Sequence, residues 1–410
     1  MIVWHKKQRS VLICIGTRPE AIKMLPVVLQ MQESRHFKPV ILTTGQHQEM
    51  VQEVLDLAGL SVSVCIQDTH KVNGNLNGLS GHLISCFEQT IDDLEQPICV
   101  LVHGDTTSSL SCALAAFHLR IPVVHIEAGL RSGDSQNPFP EEMNRQLISS
   151  LSCFHLAPTY QNAQNLIREQ VDTQTIMVTG NTTIDALLWA RTLPVEFDDI
   201  KLQQICDQAG RIITVTVHRR ENWNGGITRI AQTIARLAKM YPQDQWVAPL
   251  HPNPRVYEQF APYVQDIDNV HVSKAMDFAQ FAKLIDRSYM IITDSGGIQE
   301  EAPALDKPVL VTRDCTERHE AVEAGTVKLV GSDPEIITAA TQRLMDDPNN
   351  YNSMALAVNP YGDGKAADHV LQALEHVFAD GPQPQVYGAR VKRQHVNSQA
   401  SLSPQLAYQG

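Results

Sequence analysis

The sequence predicts an α/β protein made of two doubly wound parallel sheets, one in each half of the chain. Three observations predict it. Short apolar, β-branched runs recur every few tens of residues along the 410-residue chain. Stretches with helical spacing lie between most of them. The polar residues of chemical interest fall just after the runs. Runs that are apolar throughout, rather than alternating, suit parallel strands covered on both faces. A chain of this length exceeds one ordinary core, and the runs fall into two sets, so two domains are expected.

In chain order, strands are predicted at Val11–Ile15, Val40–Thr43, Ile98–Val102, Pro122–Ile126, Phe154–Ala157 and Thr175–Val178. A second set follows at Ile212–Val217, Trp246–Leu250, Val270–Val272, Met290–Thr293, Pro308–Val311 and Val327–Val330. Helices are predicted at Ala21–Gln32, with Ile22, Leu25, Val28 and Leu29 on one face, and at Ile227–Met240. The stretch Arg191–Arg211 carries Pro194, an acidic patch at Glu196–Asp199 and no strand signal, so the domain boundary is placed there. The expected units are 1–190, 191–360, a C-terminal helix within 361–380, and a Pro/Gln/Ser-rich tail over 381–410 expected to be flexible.

Composition narrows the function. Hydrophobic residues at 43% and charged residues at 19% suit a packed globular protein. A formal net charge of −12 repels a phosphate polymer at long range and argues against nucleic acid as partner. The eight cysteines show neither metal-ligand pairs nor a disulfide framework, which suits reduced thiols. No run approaches the roughly 20 apolar residues of a membrane span, and no secretory signal is evident. A cytoplasmic protein without membrane contact is therefore expected. No Gly-x-Gly-x-x-Gly follows the first strand, no Walker A loop is present, and no His/Cys/Asp cluster has catalytic metal spacing. No cofactor and no metal are expected.

In open parallel sheets, ligands bind beyond the carboxyl ends of the strands. Gly16-Thr17-Arg18, Gly45-Gln46-His47, His103-Gly104-Asp105 and Glu127 follow strands of the first set. His218-Arg219-Arg220-Glu221, His251, Asp294-Ser295-Gly296-Gly297, and Arg313 with Arg318 follow strands of the second. If the two edges face each other, these residues line one interdomain cleft.

The strand, turn and helix start at Thr293–Glu301 would suit a diphosphate on exposed N–H groups, with Glu301 accepting from ribose hydroxyls. A plain N-cap followed by helix-favouring acids fits that spacing equally well. Arg18, Lys23, His218, Arg219, Arg220, Arg313 and Arg318 form a basic set within an acidic chain. A phosphate-side role suits Arg18 and His218, and ordinary surface ion pairs suit Arg219 and Arg313. Asp105, Glu127 and Glu141 could move a proton between opposite faces of a carbon, and burial near one another would drive their pKa values apart. A plain i,i+4 ion pair between Glu141 and Arg145 accounts for Glu141 as well.

These residues resemble a known family. Gly16-Thr17-Arg18-Pro19-Glu20-Ala21-Ile22-Lys23-Met24, His103-Gly104-Asp105-Thr106-Thr107 and His125-Ile126-Glu127-Ala128-Gly129-Leu130-Arg131 resemble the non-hydrolysing UDP-N-acetylglucosamine 2-epimerases. So do Pro140-Glu141-Glu142-Met143-Asn144-Arg145, Gly180-Asn181-Thr182, His218-Arg219-Arg220-Glu221, Thr293 to Pro303, Thr316-Glu317-Arg318 and Asn359-Pro360-Tyr361-Gly362-Asp363-Gly364. The resemblance implies a GT-B-like fold with an interdomain active-site cleft and a helix after Gly364 that crosses back onto the first domain. It implies reversible conversion of UDP-N-acetylglucosamine to UDP-N-acetylmannosamine by elimination and re-addition of UDP, through a 2-acetamidoglucal. A hydrolysing epimerase releasing UDP and free N-acetylmannosamine, or a silent UDP-sugar-binding protein, stay open as alternatives.

By the same resemblance, Asp105, Glu127 and Glu141 handle protons and His218 assists the departure and return of UDP. Arg18, Lys23, Phe281, Ser295, Gly296, Gly297, Glu301 and Arg318 match substrate-binding positions. A homodimer is implied, serving envelope or capsular polysaccharide synthesis. Gln46, His47 and His251 match residues that bind a second, activating UDP-N-acetylglucosamine in some bacterial members. Glu49 and the Gly/Asn-rich segment Lys71–His82 depart from that pattern and leave activation open. Met276 stands where the family often has glutamine, and His319 where it has proline.

Overall fold

The computed structural model describes residues 8–72, 74–208 and 210–384. The part of the expected tail from 385 onward lies outside the described residues. Two all-parallel sheets organise the chain. The first has strand order β3-β2-β1-β4-β5-β6-β7. Its strands are β1 (Arg9–Ile15), β2 (Phe37–Thr43), β3 (Val64–Cys65), β4 (Cys99–His103), β5 (Val123–Ile126), β6 (Phe154–Ala157) and β7 (Ile176–Val178). The second has order β10-β9-β8-β11-β12-β13. Its strands are β8 (Ile212–Thr216), β9 (Gln245–Leu250), β10 (Val270–Lys274), β11 (Met290–Thr293), β12 (Val309–Val311) and β13 (Val327–Leu329).

The continuous apolar runs become strands buried on both faces. In β1, Val11, Ile13 and Ile15 join one core cluster with Met24, Val28 and Met31. Leu12 and Cys14 point the other way, into a cluster with Leu83, Phe87 and Ala113. This side-to-side split is what the two-residue period of a strand requires when helices cover both faces.

Three elements differ from the sequence reading. The short edge strand β3 was not predicted. The stretch Arg191–Arg211 contains a helix, Ile200–Asp207, capped by Asp199, which accepts from Leu202 N at 3.1 Å. Its Leu202, Ile205 and Cys206 pack with Ile212, Val247 and Leu284 of the second half. The Gly/Asn-rich segment runs into the helix Leu76–Ile91, where Leu79, Leu83, Phe87 and Ile91 fall at four-residue spacing on the buried face. Asn75 caps it, accepting from Gly78 N.

Two helices tie the halves together. Thr182–Ala190 packs against the helix Arg18–Gln32. It also sends Ile184, Leu187 and Ala190 into a cluster with Ala282, Ile285 and Ile291 of the second half. The helix Ala366–Ala379 returns to the first half, where Ala367, Val370, Leu371, Ala373 and Leu374 complete its main core cluster. Asp185 fixes the start of that helix, accepting from Ala367 N at 2.8 Å and Ala366 N at 3.1 Å. Among the described residues, no helix is long and apolar enough to cross a membrane.

Candidate active site

Each sheet has one point where the strand order reverses, between β1 and β4 in the first and between β8 and β11 in the second. Crossover helices leave in opposite directions there and open a crevice at the carboxyl edge. The ionisable residues collect at these two points.

In the first half, Glu20 builds the floor. It is 2% exposed. One carboxylate oxygen accepts from Gly16 N at 2.9 Å and Thr17 N at 2.6 Å, and the other from Thr106 Oγ1 at 2.6 Å. The loop after β1 is thereby tied to the helix start after β4. Arg18 opens the helix Arg18–Gln32 and has no hydrogen-bond or ion-pair partner among the described residues. Lys23, one turn further in, pairs with Glu127. Glu127 follows β5 with φ 64°, a backbone region costly for a residue with a Cβ. Its other oxygen lies 3.8 Å from His103 Nδ1.

These carboxylates do not share one environment. Burial pushes the Asp105 carboxyl up to about 6, with the Arg145 guanidinium drawing it down and Glu127 pushing it up. Burial opposes the charge on Glu127 too, but the Lys23 ammonium and its hydrogen bond, with His103 and Arg318 facing the same carboxylate, together hold Glu127 at about 2. Lys23 stays above the ordinary lysine range despite burial, because Glu127 and Glu300 face it. Burial lowers His103 to about 4, leaving it neutral, with Nε2 buried and unpartnered.

Glu141 begins the helix Glu141–Leu151, and its Oε2 is buried without a hydrogen-bond partner. The i,i+4 pair with Arg145 is not formed. Arg145 Nη2 instead donates to Asp105 Oδ2 at 2.8 Å, and Nη1 lies 3.3 Å from Glu142, one position along. Asp105 is reachable because the loop after β4 faces the start of this helix.

The second half supplies a cleft of about 270 Å³. Loops after β8, β9, β10 and β11 line it, with His218, His251, Met276, Phe281, Ser295 and Gly297 among its walls and Glu301 at one side. Asp294 is the hidden support. It is 0% exposed and accepts from His218 N at 3.0 Å, Arg219 N at 2.9 Å and Asn222 Nδ2 at 3.0 Å. Its carboxylate also lies 3.3 Å from His218 Nδ1. The His218 ring stacks on His251 at 5.6 Å, and burial holds its pKa below the usual value despite Asp294.

Ser295 is the N-cap of the short helix Gly296–Glu301. Two guanidinium groups crowd the turn. A Cβ on Gly296 would lie 3.0 Å from Arg318 Cζ and 3.2 Å from Arg219 Nη2. Arg219 is thus not the plain surface cation its sequence position suggested; its Nε is buried and unpartnered. Arg313 does make ordinary ion pairs, with Glu221 and Glu317 at 2.9 Å or less.

The halves meet through side chains. Arg318 Nε donates to Glu300 at 2.8 Å, and Asn181 Nδ2 donates to Glu300 at 2.7 Å and to Glu127 at 3.2 Å. Thr183 Oγ1 donates to Glu301 at 3.0 Å. Burial, with Glu300 beside it, raises the Glu301 carboxyl above its ordinary range. Glu301 therefore joins the second-half cleft to the helix Thr182–Ala190 through Thr183. Gln46 and His47 line a separate cleft of about 820 Å³ with Glu49, Glu53, Asp56 and His70, away from the cavity that holds His251. Among the described residues, no group of three or more His, Cys, Asp or Glu is arranged to hold a metal ion.

Two Rossmann-like units, with titratable groups on one and a lined cleft on the other, define a GT-B-like α/β enzyme. The model of the UDP-N-acetylglucosamine 2-epimerase family matches residues 29–375. The chain is 43% identical over 372 residues to a UDP-N-acetylglucosamine 2-epimerase of Yersinia pestis, covering 90% of this chain and 98% of that one. It is 42% identical to that of Escherichia coli K12, again covering 90% and 98%. The crystal structure of the Neisseria meningitidis UDP-GlcNAc 2-epimerase bound to UDP-GlcNAc superposes with a TM-score of 0.78 at 42% identity, covering 90% of this chain and 100% of that one. The chain belongs to the UDP-N-acetylglucosamine 2-epimerase family.

Proposed function

We propose that the protein interconverts UDP-N-acetylglucosamine and UDP-N-acetylmannosamine by inverting C2 of the sugar. The observation that carries this reading is two carboxyl groups at one strand edge in opposite settings, Asp105 buried against Arg145 at 2.8 Å and held at about 6, and Glu127 paired with Lys23 and held at about 2. Inversion requires a proton to be moved at C2 and positive charge developing on the ring to be offset, and a carboxyl near 6 suits the first task while one held ionised suits the second. In the forward step one carboxylate takes the C2 proton while the bond from C1 to the UDP oxygen breaks. The products are a 2-acetamidoglucal, with a C1–C2 double bond, and UDP. In the return step a proton is delivered to C2 from the opposite face while the UDP oxygen adds back to C1. No electrons are gained or lost overall, so the cycle calls for no redox cofactor.

Roles follow from chemistry and resemblance together. Asp105, raised to about 6, is mostly ionised at neutral pH and can take a proton and give it back. Glu127 stays ionised beside Lys23 and offsets positive charge developing on the sugar ring. Glu141, with a buried unpartnered oxygen, completes the set. His218, held by Asp294, faces the departing UDP. Arg18, Ser295, Gly296, Gly297 and Arg318 hold the diphosphate, Glu301 the ribose, and Phe281 packs by the base. The same reading takes the enzyme as a cytoplasmic homodimer feeding polysaccharide synthesis, with any second nucleotide sugar bound near Gln46 and His47.

The test is incubation with UDP-N-acetylglucosamine alone in deuterated water, followed by proton NMR. UDP-N-acetylmannosamine deuterated at C2 supports the proposal, and Asp105→Asn should bind UDP yet lose most of this turnover. Free N-acetylmannosamine with UDP, or an unchanged substrate, overturns it.

A further inference from the structure

Asn181 touches carboxylates from both halves of the molecule, and nothing in its local sequence requires that. It is 4% exposed and is the N-cap of the helix Thr182–Ala190. Its Oδ1 accepts from Thr183 N at 3.1 Å, so Nδ2 faces the other way. One Nδ2 hydrogen goes to Glu300 Oε2 at 2.7 Å and the other to Glu127 Oε1 at 3.2 Å. Both amide hydrogens and the amide oxygen are engaged. Serine, threonine or aspartate would cap a helix about as well. Only an amide caps it and also donates twice.

The chain of contacts continues on the far side. The second Glu300 oxygen accepts from Arg318 Nε at 2.8 Å. Arg318 in turn lies against the Gly296 turn. Glu127 is faced by Lys23 from the helix Arg18–Gln32, by His103 from β4, and by Arg318 from the second half. Lys23 feels Glu300 and Asp105 as well as Glu127. The amide therefore sits where the first half's ionised carboxylate meets the second half's cation.

We propose that Asn181 is a positioning residue whose side-chain amide orients the Glu127 carboxylate by clasping it to Glu300 across the interdomain cleft. The proposal rests on the reading of Glu127 as the ionised, charge-stabilising member of the acid set. A diphosphate arriving at Arg318 competes with Glu300 for the guanidinium. The change at Glu300 passes through the amide to Glu127. Nucleotide occupancy in one half is thus communicated to the acid set in the other.

Two variants separate this from simple capping. Asn181→Ser keeps a capping oxygen and removes the double donor. Asn181→Asp keeps shape and cap but sets a third carboxylate against two others. Hydrogen bonds to charged groups are strong enough that losing one gives about a tenfold or greater loss in kcat. KM for UDP-N-acetylglucosamine should stay within about threefold of wild type, because Asn181 does not belong to the nucleotide cleft. The acid limb of kcat should stay in place in Asn181→Ser, because Asp105 at about 6 sets it and Glu127, held at about 2, remains ionised through the limb even after losing a donor. Wild-type kcat in both variants, or a rise in KM as large as the loss in kcat, would overturn the proposal.

A second readout does not depend on turnover. Small-angle scattering should give a larger radius of gyration for Asn181→Asp than for wild type, as Glu300 and Glu127 are pushed apart. An unchanged radius overturns the clasp. If the wild-type protein made no UDP-N-acetylmannosamine, the proposed function would fail on that assay, and the scattering would still judge the clasp by itself.

Discussion

Arg145→Met should move the acid limb of the reaction without destroying the fold. Arg145 Nη2 donates to Asp105 Oδ2 at 2.8 Å from a side chain only 7% exposed. It is the one positive group that draws Asp105 most strongly down from the value burial would impose. A hydrogen bond to a charged group is worth about 1.5–3 kcal/mol, and one pH unit of titration corresponds to about 1.4 kcal/mol. Removing the guanidinium therefore carries Asp105 from about 6 to between about 7 and 8. At pH 7 its ionised fraction falls from about nine-tenths to between about one-half and one-tenth. Turnover at pH 7 should drop by about two- to tenfold and recover as the pH approaches 9. Glu142, the other partner of Arg145, keeps donors at Ser132 N (2.9 Å) and Gln146 Nε2 (3.1 Å), so its burial stays satisfied. The assay is kcat against pH from 5 to 9 by NMR, with circular dichroism as the check on folding. The limb belongs to the coupled set of acids rather than to one carboxyl. A limb that does not move, or a loss equal at every pH, would refute the reasoning.

Three other substitutions test other parts of the site. Asp294→Asn turns an amide hydrogen toward donors that now share a carboxylate; kcat should fall at least tenfold, with about 1–3 kcal/mol lost from stability in denaturant titration. Gly296→Ala places a Cβ 3.0 Å from Arg318 Cζ. The flexible guanidinium can yield, so the thermal midpoint should hold, while calorimetry should show UDP binding weakened by about tenfold. His125, 0% exposed, has its pKa lowered to about 3, chiefly by burial. The unfolded chain therefore takes up the proton first, and the stabilising contribution is full above about 6.5 and lost as pH falls toward 3. His125→Gln removes that dependence, so the gap in thermal midpoint between wild type and variant should narrow from pH 7 to pH 4. A constant gap would refute it.

The parallel strands were legible because burial on both faces leaves few polar positions in them, as the lone His155 in β6 illustrates. Met290–Thr293 and Phe154–Ala157 coincide with the observed β11 and β6. The strand-end loops were legible for the same reason, since a parallel sheet delivers every such loop to one edge. What escaped was short or cross-chain. β3 spans two residues and gives no period to read. The helix Ile200–Asp207 shows about two turns behind an acidic patch, too few to outweigh Pro194. Sequence spacing suggested that Glu141 meets Arg145 because they lie one turn apart, yet Arg145 reaches Asp105, 40 positions away. Lys23 with Glu127 and Asn181 with Glu300 are separated by 104 and 119 positions. Only the crossover geometry brings them together, and no local pattern encodes it. Asp294 followed a predicted strand and stood inside a quoted motif, but its role as the buried acceptor beneath His218 needed the neighbouring strand β8 to be in place.

The return of Ala366–Ala379 to the first half has a consequence for how the protein is made. Its Val370 and Leu374 fill the same cluster as Met24 and Val28 of the helix Arg18–Gln32. On the ribosome, those early residues emerge with their seat empty. At about 5–20 residues per second, the roughly 180 residues from the end of the first half to that helix take about 10–40 s to synthesise. For that interval the nascent first half carries an open apolar seam, and the second half can finish folding before it. Truncation within the last described helix should accordingly damage the half of the protein made first, and newly made chains should engage chaperones that hold the beginning of the sequence rather than its end.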